Sequence, residues 1–141
     1  MGGGQGGIRG QGRPLTPPRA LFRIRVAMIA GVVTLAVIVF ALRHSGQLGP
    51  TLPAERLSTL RVLTWAAAGG AGLVLVILRL RLAASGTAAR PAPTIIAWAI
   101  GEFAALFGIV FVMLSGVESA AAPGLLAFAT AMVLFPAPRG D

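Results

Sequence analysis

Residues 94–115 read TIIAWAIGEFAALFGIVFVMLS, an apolar run of twenty-two residues broken by one ionisable side chain, Glu102. As a helix rising about 1.5 Å per residue it reaches about 33 Å, enough to cross the hydrocarbon core of a bilayer. Three further runs repeat this character: 21–42, 62–80 and 119–135. The expected fold is therefore all-α, a polytopic membrane protein with four transmembrane helices at those positions. The last run is the shortest, stopped by Pro136 and Pro138, and reaches only about 26 Å.

Composition agrees with this reading. Of 141 residues, 56% are hydrophobic and 11% charged, where a soluble domain carries about 25% charged residues. The mean hydropathy is +0.85. The absence of cysteine excludes a disulfide framework, a thiolate zinc site and a cysteine nucleophile. Outside the apolar runs the chain is expected to divide into a disordered Gly/Pro/Arg-rich tail over 1–20, a helical domain over 21–136 and a short tail over 137–141. The first twelve residues hold seven glycines, too little apolar surface to order a chain. Gly2, Gly4 and Gly7 satisfy a G-x-G-x-x-G pattern, but no strand precedes it and no helix follows to hold a phosphate.

The net charge of +8 rests on twelve arginines and no lysine. Arg23, Arg25, Arg43, Arg61, Arg79 and Arg81 stand at the edges of apolar runs, where long cationic side chains reach headgroups. They are expected to be interfacial anchors, with the lipid bilayer as the partner. No nucleic-acid partner is expected, because Arg9 and Arg13 in the tail neutralise few phosphates. Nine arginines fall on the side of the N-terminus, the 79–90 loop and the C-terminus, against three on the other. The positive-inside rule then places both termini in the cytoplasm, which demands an even number of spans.

Small residues recur on two of the helices. In the second run, Ala66 and Gly70 are four apart, as are Ala68 and Gly72, with Gly69 between. In the third, Ala97 and Gly101 share one face, as do Ala104 and Gly108. At that spacing a neighbouring backbone approaches closely, so Ala66, Gly69, Gly70, Gly72, Ala97, Gly101, Ala104 and Gly108 are expected to pack helices together.

No catalytic constellation is present, and neither an enzymatic activity, a cofactor nor a metal is expected. His44 sits beside Arg43 without a nearby carboxylate to orient it, and the serines have no recognisable base. Glu102 is the residue with chemistry. A charged carboxylate at that depth costs at least about 2.5–3.5 kcal/mol, so its neutral, protonated form is favoured. Such a group donates a hydrogen bond across helices, or it loads and releases an ion.

Residues 99–111, AIGEFAALFGIVF, resemble the ion-carrying helix of rotary ATPase proteolipids, the subunit c family. In that family a carboxylate is followed five residues later by an aromatic and six later by glycine; Glu102, Phe107 and Gly108 match. The resemblance implies an ion carried on Glu102, with the Arg90–Pro91 segment as the polar loop. The second run lacks the long G-x-G-x-G pattern of the family's first helix. The whole pattern also resembles small four-helix bacterial membrane proteins without an assigned activity, which implies a location in the inner membrane. Two functions are therefore expected. One is a non-enzymatic membrane protein that packs with itself or with other membrane subunits, with Glu102 as a buried interhelical donor. The other is proton or cation translocation through Glu102.

Overall fold

A computed structural model describes residues 18–49, 53–86 and 91–136. The tails expected over most of 1–20 and over 137–141, and Arg90 with them, lie outside the described residues. Among the described residues the chain is all-helical: α1 (Pro18–His44), α2 (Ala54–Ser85), α3 (Pro91–Ser115), one 3₁₀ turn (Glu118–Ala121) and α4 (Ala122–Leu134). Helices α1, α2 and α3 are each long and apolar enough to cross a membrane, and the segment Glu118–Leu134 is a shorter apolar one.

The helices start and stop where backbone chemistry dictates. Hydropathy placed the second helix at 62–80, but α2 begins at Ala54, because AERLSTLR continues the helix beyond the apolar run. Glu55 lies in its first turn, where the helix dipole favours an anion. The helix ends at Gly86, which adopts the left-handed conformation at φ 63°. Helix α3 begins at Pro91 rather than residue 94. Pro91 and Pro93 stand in its first turn, where their missing N–H groups have no partner to lose.

Helix α3 is the centre of the bundle. Half of its most apolar window is buried, against 11% in α1 and in α2. It meets all three other helices, and its contact with α4 is the most extensive. Helices α1 and α3 run parallel. Arg25 lies over the ring of Trp98 near their starts, and the Arg43 guanidinium packs against Gly116 at their far ends. Helices α2 and α4 return in the opposite sense. Helix α1 touches the bundle along one narrow stripe, with Leu21, Val32 and Val39 buried and Met28 and Leu35 partly so. Their spacing of four and three residues is that of a seam between nearly parallel helices. Most other large apolar side chains of α1 and α2 point outward, among them Phe22, Val37, Val62 and Leu73. So large an apolar exterior suits hydrocarbon or a protein partner rather than water.

The α3–α4 contact is made by backbone against backbone. A Cβ placed on Gly101 would come within 2.7 Å of Ala131 Cβ and 3.1 Å of Phe128 Cα. One on Gly108 would come within 3.2 Å of Ala121 Cα, in the 3₁₀ turn that leads into α4, and one on Gly124 would run into the carbonyl of Ala104. Ala104, which faces Gly124, is buried in this contact, and Ala97 is buried on the same helix. The absence of side chains at the three glycines is what lets α4 lie this close.

Candidate functional site

Glu102 is the twelfth residue of the 25 in α3 and therefore lies near the helix middle. Its neighbour Gly101 is buried against α4, while Phe103 on the other side is 66% exposed. Glu102 itself stands at the edge of the buried face and is half-buried. The expectation was of a buried carboxyl bonded across helices. Among the described residues, however, it makes no hydrogen bond or ion pair. The expected bond is thus not made among these residues. Thr34 and Thr130, the other polar residues near this depth, are exposed, and Thr130 Oγ1 donates to the Leu126 carbonyl of its own helix at 2.8 Å. No group of three or more His, Cys, Asp or Glu suited to a metal occurs among the described residues.

The two residues that share the proteolipid-like spacing have other uses here. Gly108 packs against Ala120 and Ala121 of the 3₁₀ turn that leads into α4, and Phe107 stacks on Phe103 with ring centroids 6.3 Å apart. His44 is exposed at the end of α1. The hydroxyls of Ser58 and Ser115 donate to carbonyls three or four residues earlier in their own helices, and that of Ser45, just past α1, donates to the Leu42 carbonyl, a local arrangement without a general base.

One turn before Glu102 lies a polar cluster that hydropathy conceals. Trp98 is fully buried, and its indole Nε1–H donates to the Phe135 carbonyl at 2.8 Å. Arg25 Nη2 donates to the Met132 carbonyl at 3.1 Å, and its guanidinium carbon lies 6.0 Å from the Trp98 ring centroid. Met132 belongs to the last turn of α4 and Phe135 is its C-cap residue, where the final carbonyls have no partners within the helix. Helix α4 ends level with Trp98, about 10 Å inside the start of α3 at its seven-residue distance from Pro91. Arg25 and Trp98 supply the donors that water would otherwise provide, and the positive guanidinium faces the negative end of the helix dipole.

The six arginines expected as interfacial anchors therefore divide. Arg23, Arg61, Arg79 and Arg81 are exposed at the helix ends. Arg25 and Arg43 are half-buried and turn inward. The Arg43 guanidinium covers Gly116, where a Cβ would meet Nη1 at 2.5 Å, and Nη1 makes a long 3.5 Å contact with the Leu48 carbonyl. Gly116 has φ +74° and follows the last residue of α3, so its lack of a Cβ serves both the helix stop and the seat of Arg43.

The eight small residues divide as well. Ala97, Gly101, Ala104 and Gly108 face the interior. On α2, Ala66, Gly69 and Gly70 are exposed and Gly72 is half-buried. A Cβ on any of these three glycines would meet nothing within 4 Å. This small-residue tract borders a groove of ≈ 520 Å³ between α2 and α3, lined entirely by Ala66, Ala67, Gly70, Ala71, Val74 and four apolar residues of α3. A second cavity of ≈ 460 Å³, holding Ser58, Arg61 and Ser119, lies at the opposite end of α3 from Trp98. Compared with protein-family models, with curated proteins and with solved structures, the chain matches none.

Proposed function

We propose that this chain is a small, non-enzymatic integral protein of the bacterial inner membrane that assembles with itself or with a larger membrane complex. Its three long helices and the shorter α4 cross as a four-helix bundle with both termini in the cytoplasm. The observation that carries the reading is the α2 tract: a Cβ on Gly69, Gly70 or Gly72 would meet nothing within 4 Å, so no helix of the described residues uses this small-residue face for close approach. Glycine in a helix interior costs about 1 kcal/mol relative to alanine, so an unused run of them asks for a compensating contact. Glu102, half-buried and unpartnered, then donates its hydrogen bond to the neighbouring chain.

The test is the mass of the protein purified in a mild detergent. Wild type is expected to run as more than one chain, or with other subunits bound. At Gly70 a Cβ meets nothing within 4 Å and an open groove lies beside it, so Gly70→Leu should leave the monomer folded and reduce the particle to a single chain. Glu102→Gln keeps a donor and should leave the assembly whole. A wild-type protein that runs alone would remove the support for this reading.

A second reading, ion translocation, draws on the same half-buried carboxyl, whose partial exposure leaves it open to a proton or cation. It expects Glu102→Gln to abolish flux in reconstituted vesicles while the particle mass is unchanged. Equal flux in variant and wild type would end it.

A further inference from the structure

The geometry points to a binding site for the headgroup of an anionic phospholipid in the ≈ 460 Å³ cavity between the first half of α2 and the end of α3. Polarity changes along the depth of this cavity. Ser58, Arg61 and Ser119 lie towards the end of the bundle; Trp65 and Phe111 lie further in, beside Thr64, whose hydroxyl is taken up by the Leu60 carbonyl of its own helix. Ser58 and Trp65 are seven residues apart on one helix, so about 10 Å separates the polar mouth from the apolar floor.

Arg61 is exposed, and among the described residues it makes no ion pair or hydrogen bond. The Ser119 hydroxyl likewise makes none. Glu55 and Glu118 are exposed, line no part of the cavity and, among the described residues, pair with no arginine. A free guanidinium with a hydroxyl beside it matches the oxygens of a phosphate, which it binds through paired N–H groups. The apolar floor selects a phosphate that carries hydrocarbon over a soluble one.

Position along α2 agrees with this occupant. Arg61 and Arg79 are separated by about 27 Å of helix, close to the roughly 30 Å of a bilayer core. With Arg79 at one headgroup layer, Arg61 reaches the other. Trp65 is 59% exposed one turn inward, at the level where indoles favour the membrane boundary. The inference rests on membrane insertion.

The test places the full chain in phosphatidylcholine vesicles that contain rising fractions of brominated phosphatidylglycerol or brominated phosphatidylcholine. Tryptophan emission is the readout: Trp98 is fully buried and contributes a shielded background, so the lipid-dependent quenching reports Trp65. Quenching by the anionic lipid should reach its midpoint at about five-fold lower fraction, the factor expected of one interfacial arginine. Arg61→Gln should remove that preference. Arg79→Gln, at the other end of the helix, should retain it, and millimolar inorganic phosphate should not compete. Equal quenching by both lipids, or a preference that survives Arg61→Gln, would overturn the site. Competition by inorganic phosphate would overturn the lipid assignment in favour of a soluble anion. Failure of the protein to float with vesicles would instead overturn membrane insertion itself, and the site with it.

Discussion

Gly124→Ala is expected to detach α4 from α3. The added methyl would run into the carbonyl oxygen of Ala104 and come within 3.2 Å of Ala105 Cα. These are backbone atoms in the most extensive contact of the bundle, so they have no rotamer through which to give way. Overpacking of this kind costs about 1–3 kcal/mol and occasionally more, and the rigid contact puts Gly124→Ala at the upper end. Unfolding in detergent, followed by helical signal against denaturant, should show a large loss of stability. Gly31→Ala, at an exposed position of α1 away from the small-residue face of α2, is the matched control. Nothing lies within 4 Å of its new methyl, and the exchange improves helix propensity by about 1 kcal/mol, so the bundle should become slightly more stable. Equal behaviour of the two variants would mean that α3 and α4 do not pack as described.

Trp98→Phe should rank second in effect. It keeps a large ring at a fully buried position but removes the donor to the Phe135 carbonyl. A buried acceptor left without its partner costs about 1–3 kcal/mol, and the weaker ring lowers the cation–π attraction of Arg25, worth about 0.5–2 kcal/mol. Arg25→Met removes the other donor to the same helix end, at Met132. Because both side chains serve one turn of α4 and touch each other, the two losses should not add. In the same unfolding assay the double variant is expected to lie less than the sum of the single variants below wild type. Strict additivity would indicate that Arg25 and Trp98 act independently.

The long helices were legible because apolar length is a property of the sequence itself, and 94–115 sits inside α3 with only its first turn missing. Boundaries set by caps were not. Hydropathy falls at Arg61, yet the backbone of α2 has no reason to stop before Pro53 on one side and Gly86 on the other. The small residues of α3 and α2 have the same spacing, and spacing alone does not tell which face meets a helix of its own chain. The half-buried setting of Glu102 depends on the same unknown, the angular position of each neighbour. Arg25 shows the limit most clearly. A cation beside an apolar run reads as an outward anchor, but the short reach of α4 leaves carbonyls at its level. Pro136 carries that signal in the sequence, since it forces α4 to end early. Trp98 and Gly124 had no comparable signal. A buried indole and a contact glycine are recognisable only once the partner helix is in place.

The central claim is that the small-residue face of α2 meets another chain. The sequence has no cysteine, so single cysteines report contacts without background. In native membranes, Gly70→Cys treated with a short bis-maleimide should yield a cross-linked product larger than the monomer, as should Ala66→Cys. Leu75→Cys, at a position fully buried within the bundle, should yield none. If Gly70→Cys stays monomeric while a cysteine on the outer face of α1, such as Val37→Cys, cross-links, the interface lies elsewhere and the account of α2 is wrong.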